Sequence, residues 1–219
     1  AKIAIKLVKD GQADIPMKGI LQTSNFARAI LNRETGLIPE SGRRLVSQCG
    51  IFEYEGRFVM ITDAAININP AVESQIGIEE NAITVARALG IDCPKVAVLS
   101  AVENVTEKMA STVSAAEIAK RGVEGCIISG PLALDGAISM ESVKHKSIKD
   151  PVAGRADILL VPFIEIGNVL YKACTYIAGK TMASTICGAS CPVIITSRAD
   201  TPDSKYYSIL MAVLRCIKG

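Results

Sequence analysis

Strand-like and helix-like segments alternate along most of this chain, and that alternation limits the possible folds more than any other feature. Short apolar runs such as 95–99 are typical of buried strands, and stretches with apolar residues at helical spacing, such as 73–89, are typical of helices. The predicted strands are 13–19, 45–52, 57–61, 95–99, 125–129, 157–162, 185–187 and 192–195. The predicted helices are 24–31, 73–89, 114–121, 138–145, 166–177 and 206–216. Strands that alternate with helices form βαβ units, so the sequence predicts an α/β fold with mostly parallel sheets.

The composition agrees with sheets that helices cover. Apolar residues make up 49% of the 219 residues and tryptophan is absent, so the core must consist mainly of Ala, Ile, Val and Leu. The net charge of +2 gives no overall field that would favour nucleic acid or a membrane as a partner. The seven cysteines lack the spacing of a metal site, and we predict that they are reduced, buried thiols of a cytoplasmic protein.

One hairpin interrupts the parallel pattern and indicates a division into two domains. The strands on either side of the Glu55-Gly56 turn are predicted to be antiparallel, and this hairpin is a candidate hinge. We expect a first domain of 1–56 plus 192–219 and a second α/β domain of 57–191. Residues 1–11 have the pattern of the last turns of an amphipathic helix, so we expect that a preceding segment completes the first domain.

Several residues have the pattern of local caps and turns. Ser24 is predicted to be the N-cap of the helix that ends near residue 31. Ser114 and Glu117 have the spacing of a capping box. The Gly130-Pro131 pair predicts a turn after the strand 125–129.

Four polar segments directly follow predicted strands, and such segments meet at one edge of a parallel sheet. They are 63–67, 130–135, 162–168 and 196–205. The last of them combines hydroxyls, cations and carboxylates that could hold an anion, although a solvated loop that caps the final helix is the alternative. The single histidine, His145, lies among lysines and is predicted to be a surface residue, which disfavours Ser-His-Asp and Cys-His mechanisms.

The same segments carry a resemblance that extends in order over almost the whole chain. The motifs are TDAAIN at 62–67 with Pro70, PKVAVLSAVE at 94–103, GPLALD at 130–135, ADILLVP at 156–162, GN at 167–168 with YK at 171–172, and TSRAD at 196–200 with DSK at 203–205. They resemble the phosphate acetyl/butyryltransferase family, and its phosphate butyryltransferase branch more than its acetyl branch.

The resemblance implies reversible acyl transfer between a short-chain acyl-CoA and inorganic phosphate, with butyryl or branched-chain acyl groups expected. It implies a two-domain α/β/α architecture on an isocitrate/isopropylmalate dehydrogenase-like scaffold, with the active site in the cleft between the domains. Coenzyme A is then a substrate, no cofactor is tightly bound, no metal is needed, and the protein forms a homodimer or a larger homo-oligomer. Family members carry several dozen residues before the point where this sequence begins.

The resemblance also implies roles for individual residues. The Ser-Arg pair of the acetyl branch is matched here to Ser204 and Lys205, so Ser204 is expected to donate a hydrogen bond to the oxyanion or the departing thiolate. Arg198 and Lys205 are expected to bind phosphate, and Asp203 or Asp200 to orient them or to relay a proton. The further expected substrate-binding residues are Ser197, Thr23, Ser24 and Arg28 at a helix start, Asp63 and Asn67 at the cleft floor, and Asn168 as a helix cap that faces the cleft.

Two other functions stay open at this point. The first is a module that binds CoA or acyl phosphate without turnover. The second is a metal-dependent, dehydrogenase-like enzyme on the same scaffold, although an Asp-x-x-x-Asp cluster on a helix is absent from the sequence. A thiol-release assay with acyl-CoA and phosphate separates these readings.

Overall fold

The structure is a computed structural model, and it describes residues 1–39, 44–197 and 199–218. The helices are α1 Lys2–Lys9, α2 Thr23–Ile30, α3 Val72–Ala88, α4 Ala110–Arg121, α5 Leu134–Ile138, α6 Met140–Lys146, α7 Ile164–Lys172 and α8 Pro202–Lys218, and a π-helical turn at Ala173–Ile177 continues α7. The strands are β1 Ser47–Tyr54, β2 Arg57–Thr62, β3 Lys95–Leu99, β4 Ile127–Leu132, β5 Ile158–Leu160 and β6 Ala183–Cys187. None of the helices in these ranges is long and apolar enough to cross a bilayer.

The six strands form one sheet in the order β4-β3-β5-β2-β1-β6. The neighbours β4 and β3, β3 and β5, and β5 and β2 are parallel, whereas β1 runs antiparallel to both β2 and β6. The predicted α/β class and mostly parallel sheet are therefore confirmed, and so is the hairpin of β1 and β2. Since β1 and β2 pair along six positions, the sheet continues across residue 56, and the division into 1–56 plus 192–219 and 57–191 stays a prediction.

Apolar layers cover both faces of the sheet. Successive strand residues point to opposite faces, so Ile158 and Leu160 join one core cluster while Leu159 joins the other. The first cluster is packed under α3, α4 and α8, and the second under α5 and α7. Burial on two faces explains why these strands have continuous apolar sequences without a polar alternation.

Prolines lie at two places where the observed strands differ from the predicted ones. The predicted turn at Gly130-Pro131 is wrong, because β4 runs through both residues. β4 lies at the edge of the sheet, so one of its sides has no partner strand. On that side a proline, which lacks an N–H, removes no hydrogen bond between strands. The predicted strands 13–19 and 192–195 are reduced to isolated bridges at Met17 with Ile194 and at Ile186 with Val193. The first of these segments contains Pro16 and the second begins with Pro192. Proline has no backbone N–H, so it cannot donate a hydrogen bond to a longer strand ladder.

The predicted N-caps of two helices are also wrong. α2 already begins at Thr23, so Ser24 lies inside its first turn and makes no capping hydrogen bond. α4 begins at Ala110, four residues before the predicted capping box, and the Ser114 hydroxyl donates to the Ala110 carbonyl at 3.2 Å. A serine in a helix interior often donates to a carbonyl of the preceding turn, and its sequence pattern alone does not separate this role from a cap.

The remaining helices differ from their predictions mainly in extent. The predicted helix 138–145 is divided at Ser139, whose hydroxyl accepts a hydrogen bond from the Ser142 N–H at 3.2 Å and so caps α6. The helix predicted at 73–89 and the strand predicted at 95–99 are confirmed as α3 and β3. The final helix begins at Pro202, four residues before its predicted start, which places Asp203, Ser204 and Lys205 in its first turn.

Candidate active site

A cavity of about 220 Å³ opens where the loop after β2, helix α7 and the segment before α8 come together. Its lining consists of Thr23, Gln48, Ala64, Ala65, Asn168, Tyr171, Lys172, Thr175, Tyr176, Ser184, Ile195, Thr196, Ser197 and Asp200. Larger cavities of about 530, 620 and 1030 Å³ lie beside α8, along α4 and at the end of α3, but no residue of the polar segments 63–67, 162–168 and 196–205 is among their described lining residues. We therefore regard the cavity at these segments as the candidate active site, since convergent polar groups beside apolar walls are typical of small-molecule sites.

Asp63 shapes the loop that forms one wall of the cavity. It follows β2 directly, and its buried carboxylate accepts hydrogen bonds from the backbone N–H groups of Ala65, Ile66 and Asn67 at 2.8, 3.1 and 3.1 Å. Burial raises the pKa of this carboxyl, whereas the hydrogen bonds lower it. The carboxylate thereby holds the loop in one conformation, and Ala64 and Ala65 of this loop line the cavity.

Two asparagines join this loop to its neighbours. The Asn67 side chain donates to the Val46 carbonyl at 2.9 Å and to Asp63 Oδ2 at 2.6 Å. Asn168 Nδ2 donates to the Ala64 carbonyl at 3.2 Å from the middle of α7. The expectation that Asn168 caps a helix is therefore wrong, because its side chain links α7 to the loop instead.

Gln48 and Ser184 form a buried polar pair at the base of the cavity. Gln48 Nε2 donates to Ser184 Oγ at 2.8 Å, and Ser184 Oγ lies 3.3 Å from the Ile195 carbonyl, to which it donates. Gln48 Oε1 accepts from the Ala64 N–H at 3.3 Å. This chain of hydrogen bonds connects β1, β6, the loop after β2 and the segment before α8.

The Tyr171 ring packs directly on the backbone of Gly50 in β1. A Cβ at Gly50 would lie 2.6 Å from the ring atoms Cδ2 and Cε2, so this position has no room for a side chain. Burial raises the pKa of the Tyr171 phenol far above its usual value, and the Asp200 carboxylate raises it further. Tyr171 therefore contributes a neutral hydroxyl to the cavity wall.

A tight turn places Ser197 and Asp200 at the cavity mouth. The Asp200 carboxylate accepts a hydrogen bond from the Ser197 N–H at 2.6 Å, and the Asp200 N–H donates to the Ser197 carbonyl at 3.2 Å. Both residues line the cavity. Arg198, which is expected to bind phosphate, lies outside the described residues.

Ser204 lies beneath the turn and does not belong to the cavity lining. Its backbone N–H donates to Thr201 Oγ1 at 3.1 Å, so Thr201 is the N-cap of α8 and Pro202 takes the first helical position. Its own hydroxyl oxygen lies 3.3 Å from the Met182 N–H, from which it accepts. Asp203 is exposed and Lys205 is half-buried in the same helical turn, and neither lines the cavity.

The structure thus brings together part of the predicted site. Four of the predicted residues line the cavity, namely Thr23, Asn168, Ser197 and Asp200. Asp63 and Asn67 support its wall from behind. Ser24 and Arg28 are exposed on α2 and do not belong to the lining. The segment 130–135, which was expected at the same edge, contributes no lining residue among those described, and Asp135 instead pairs with Lys146 at 3.0 Å.

Gln48, Tyr171, Lys172 and Ser184 line the cavity but were not among the predicted site residues. Tyr171 and Lys172 belong to the YK motif that contributed to the resemblance. Gln48 is the largest polar residue of the predicted strand 45–52, whose other members are apolar or small, and this pattern could have drawn attention to it. Ser184 offers no comparable signal, because serine is common in buried strands and at their ends.

Cysteine and histidine do not occur in the described lining of the cavity. Cys49 and Cys187 are fully buried in the sheet, and burial raises the pKa of both thiols. Cys93 and Cys216 are exposed, so the prediction that all seven cysteines are buried is wrong. His145 is exposed on α6. Within the described ranges, no three or more His, Cys, Asp or Glu side chains are arranged to hold a metal ion.

Comparison with known proteins adds information on ancestry. Residues 1–213 match the family described as phosphate acetyl/butaryl transferase. The phosphate butyryltransferase of Clostridium beijerinckii is 47% identical over 217 residues, which cover 96% of this chain and 71% of that protein. The phosphate acetyltransferase of Thermotoga maritima is 40% identical over 97% of this chain and 74% of its own length.

Solved structures agree with these sequence relationships. The crystal structure of a branched-chain phosphotransacylase from Enterococcus faecalis has a TM-score of 0.91 at 39% identity and covers 100% of this chain and 79% of that chain. A phosphotransacetylase from Streptococcus pyogenes has a TM-score of 0.82 at 25% identity, and the match covers 100% of this chain and 67% of that chain. A 4-hydroxythreonine-4-phosphate dehydrogenase from Klebsiella pneumoniae shares the fold alone. Its TM-score is 0.52 at 14% identity, and the match covers 98% of this chain and 68% of that chain.

Proposed function

Because this chain belongs to the phosphate acetyl/butyryltransferase family and is an acyltransferase of the phosphotransacylase type, we propose that its cavity holds inorganic phosphate against the thioester of a short-chain acyl-CoA. A phosphate oxygen attacks the thioester carbonyl carbon, the C–S bond of the resulting tetrahedral intermediate breaks, and acyl phosphate and coenzyme A leave. The observation that carries this assignment is the convergence of Thr23, Lys172, Ser197 and Asp200 on one small cavity.

The phosphate subsite lies between α7 and the start of α2. Lys172, Thr23 and Ser197 all line the cavity, and their ammonium and hydroxyl groups can donate charge-assisted hydrogen bonds to phosphate, which are strong. Arg198 follows Ser197 directly, and its contact with phosphate stays a prediction. The phosphate-binding role of Lys205 also stays a prediction, because the described cavity lining includes Lys172 but not Lys205.

Ser197 and Asp200 are better placed for the reacting centre than Ser204 and Asp203. The Ser197 side chain lines the cavity, whereas the Ser204 hydroxyl is buried against the Met182 N–H. Asp200 fixes the backbone of Ser197 and is the carboxylate nearest to the proposed phosphate among the lining residues. We therefore infer that Ser197 donates a hydrogen bond to the substrates and that Asp200 orients it.

This chemistry requires no nucleophile from the protein, because phosphate itself attacks the thioester. Holding two reactants in the right geometry can supply roughly 7–11 kcal/mol in the best cases. The apolar part of the lining, Ala64, Ala65 and Ile195, would receive the acyl chain. We propose a butyryl or branched-chain group, in line with the names of the similar proteins, and each buried methylene contributes about 0.8 kcal/mol to this preference.

Thiol release from acetyl-, butyryl- and isobutyryl-CoA, with and without phosphate, tests the proposed function. We expect phosphate-dependent release, with a higher kcat/KM for the longer acyl groups. Lys172→Met should raise the phosphate KM more than tenfold, because a charge-assisted bond contributes roughly 1.5–3 kcal/mol. Lys180→Met, at a lysine that lines the separate cavity beside α8, is the matched control and should leave this KM unchanged. Binding of CoA without any thiol release would instead identify a binding module.

We also propose that the protein acts as a cytoplasmic homo-oligomer that associates through α8. Leu210, Val213 and Ile217 form an apolar stripe on one face of this helix and are 43%, 41% and 76% exposed. Light scattering on the purified protein tests this: Leu210→Lys should shift it toward the monomer. Val113→Lys, at an equally exposed apolar residue of α4, should not.

A further inference from the structure

Gln48 is a buried amide that faces the cavity. It is the second residue of β1, only 4% of it is exposed, and it belongs to the cavity lining. Burying an amide costs free energy unless its donors and acceptors find partners, so each of its hydrogen bonds needs an account.

The hydrogen bonds around Gln48 determine which way its amide faces. Gln48 Oε1 accepts from the Ala64 N–H at 3.3 Å, and Nε2 donates to Ser184 Oγ at 2.8 Å. Ser184 Oγ donates to the Ile195 carbonyl at 3.3 Å and is also hydrogen-bonded to Tyr171, and it accepts from Gln48. The opposite orientation would place the amide NH₂ against the Ala64 N–H, two donors facing each other.

One N–H of the Gln48 amide is left over in this orientation. A primary amide carries two N–H donors, and the one that does not face Ser184 has no acceptor among the residues that the structure describes. Beside it, β1 has glycine at position 50, where a Cβ would lie 3.5 Å from Gln48 Nε2. The absence of a side chain there and the Tyr171 ring above it keep the amide at the cavity surface.

We propose that Gln48 donates this second Nε2–H to the carbonyl oxygen of the acyl group and stabilises the oxyanion of the tetrahedral intermediate. The inference rests on the proposed function. When a phosphate oxygen attacks the thioester carbon, the carbonyl π electrons move onto oxygen, and the amide N–H meets that charge. When the C–S bond breaks, the oxyanion electrons re-form the carbonyl π bond and the sulfur leaves as a thiolate with the electron pair of the C–S bond. Gln48 neither gains nor loses a proton.

Fixed neutral donors are well suited to this task. An amide that is already oriented by Ser184 and Ala64 needs no reorganisation when the charge develops, and removal of one such donor typically lowers kcat by 10²–10³. Ser184 is then a positioning residue, since its hydroxyl holds the amide without touching the substrate.

Steady-state kinetics of Gln48→Met and Gln48→Glu test the proposal. Both side chains are similar to glutamine in size, and neither donates at neutral pH. We expect kcat to fall about 100-fold or more while the KM values for phosphate and acyl-CoA stay within about threefold, because the hydrogen bond to the neutral carbonyl of the bound substrate is weak and strengthens as negative charge develops on the oxygen. The control is Gln75→Met, at an equally buried glutamine on α3 outside the cavity, which should lower the melting temperature but not kcat.

Retention of kcat within threefold in the folded Gln48 variants would overturn the proposal, and so would a rise in KM at unchanged kcat. If neither variant folds, a second measurement tests the proposal. It records the infrared carbonyl band of carbonyl-¹³C-labelled butyryl-CoA bound to the unaltered protein. A shift to lower frequency on binding supports a donor at the oxygen, and an unshifted band refutes it. Absence of phosphate-dependent thiol release from the unaltered protein would instead reject the proposed function itself.

Discussion

Replacement of Glu79 by glutamine should remove a pH dependence from the stability of this protein. Glu79 lies on α3 with none of its surface exposed, and its Oε1 accepts a hydrogen bond from Cys126 Sγ at 3.1 Å. Burial, and to a lesser extent the neighbouring Glu80 carboxylate, raises the pKa of Glu79 from 4.5 to about 7, although the hydrogen bond from Cys126 lowers it. The carboxyl therefore titrates near neutrality in the folded protein.

The sign and size of the effect follow from this pKa. An acid whose pKa is higher in the folded state binds its proton more tightly there, so the free energy of unfolding falls as the pH rises from about 4.5 to 7 and is constant above that window. The difference of about 2.5 pH units corresponds to about 3 kcal/mol. Glu79→Gln keeps the size of the side chain and does not titrate.

Urea unfolding at several values between pH 4 and pH 8 measures the effect. We expect Glu79→Gln to gain about 3 kcal/mol relative to the unaltered protein across this range. Other groups with shifted pKa values, such as Asp63, contribute equally to both proteins and cancel in the difference. Glu141→Gln, at an exposed position on α6, serves as control and should leave the slope unchanged. Parallel curves for Glu79→Gln and the unaltered protein would refute the reasoning.

Two further changes test how the cavity is supported. Gly50→Ala should cost roughly 1–3 kcal/mol in urea unfolding, because its Cβ would lie 2.6 Å from the Tyr171 ring. Gly19→Ala is the control and should cost little, because no atom lies within 4 Å of its added Cβ and its φ is not positive. Thr201→Ala should cost about 1 kcal/mol by removing the N-cap of α8. Thr84→Ala, at an exposed threonine inside α3, is the control and should cost little. An unchanged urea midpoint in Thr201→Ala would contradict the role of Thr201 as a cap.

The sequence predicts those elements whose signals are local. Helix 73–89 has helical periodicity and a glycine directly after it, and strand 95–99 is a short, mainly apolar run, so both agree with α3 and β3 within one residue. The continuation of β4 through Gly130-Pro131 depends instead on β4 being the edge of the sheet. That position is a property of the whole topology, which a dipeptide does not encode.

The candidate site shows the same division. Thr23, Asn168, Ser197 and Asp200 lie at helix starts or in polar motifs, where sequence patterns point to function, and all four line the cavity. Gln48 was missed because its meaning comes from partners that are distant in sequence. A glutamine in an apolar strand is equally compatible with a structural hydrogen bond, and only the three-dimensional arrangement separates the two.

The pairing of β1 with β6 has a consequence for biosynthesis. The Gln48 and Ser184 side chains, which join these strands, are 136 positions apart in the chain. Ribosomes add roughly 5–20 residues per second, so one edge of β1 waits roughly 7 to 27 seconds for its partner strand to emerge. During that interval an apolar strand with an unpaired edge is open to association with other chains. The pairing of β1 with β6 therefore lengthens the period in which a growing chain of this protein can associate with other chains.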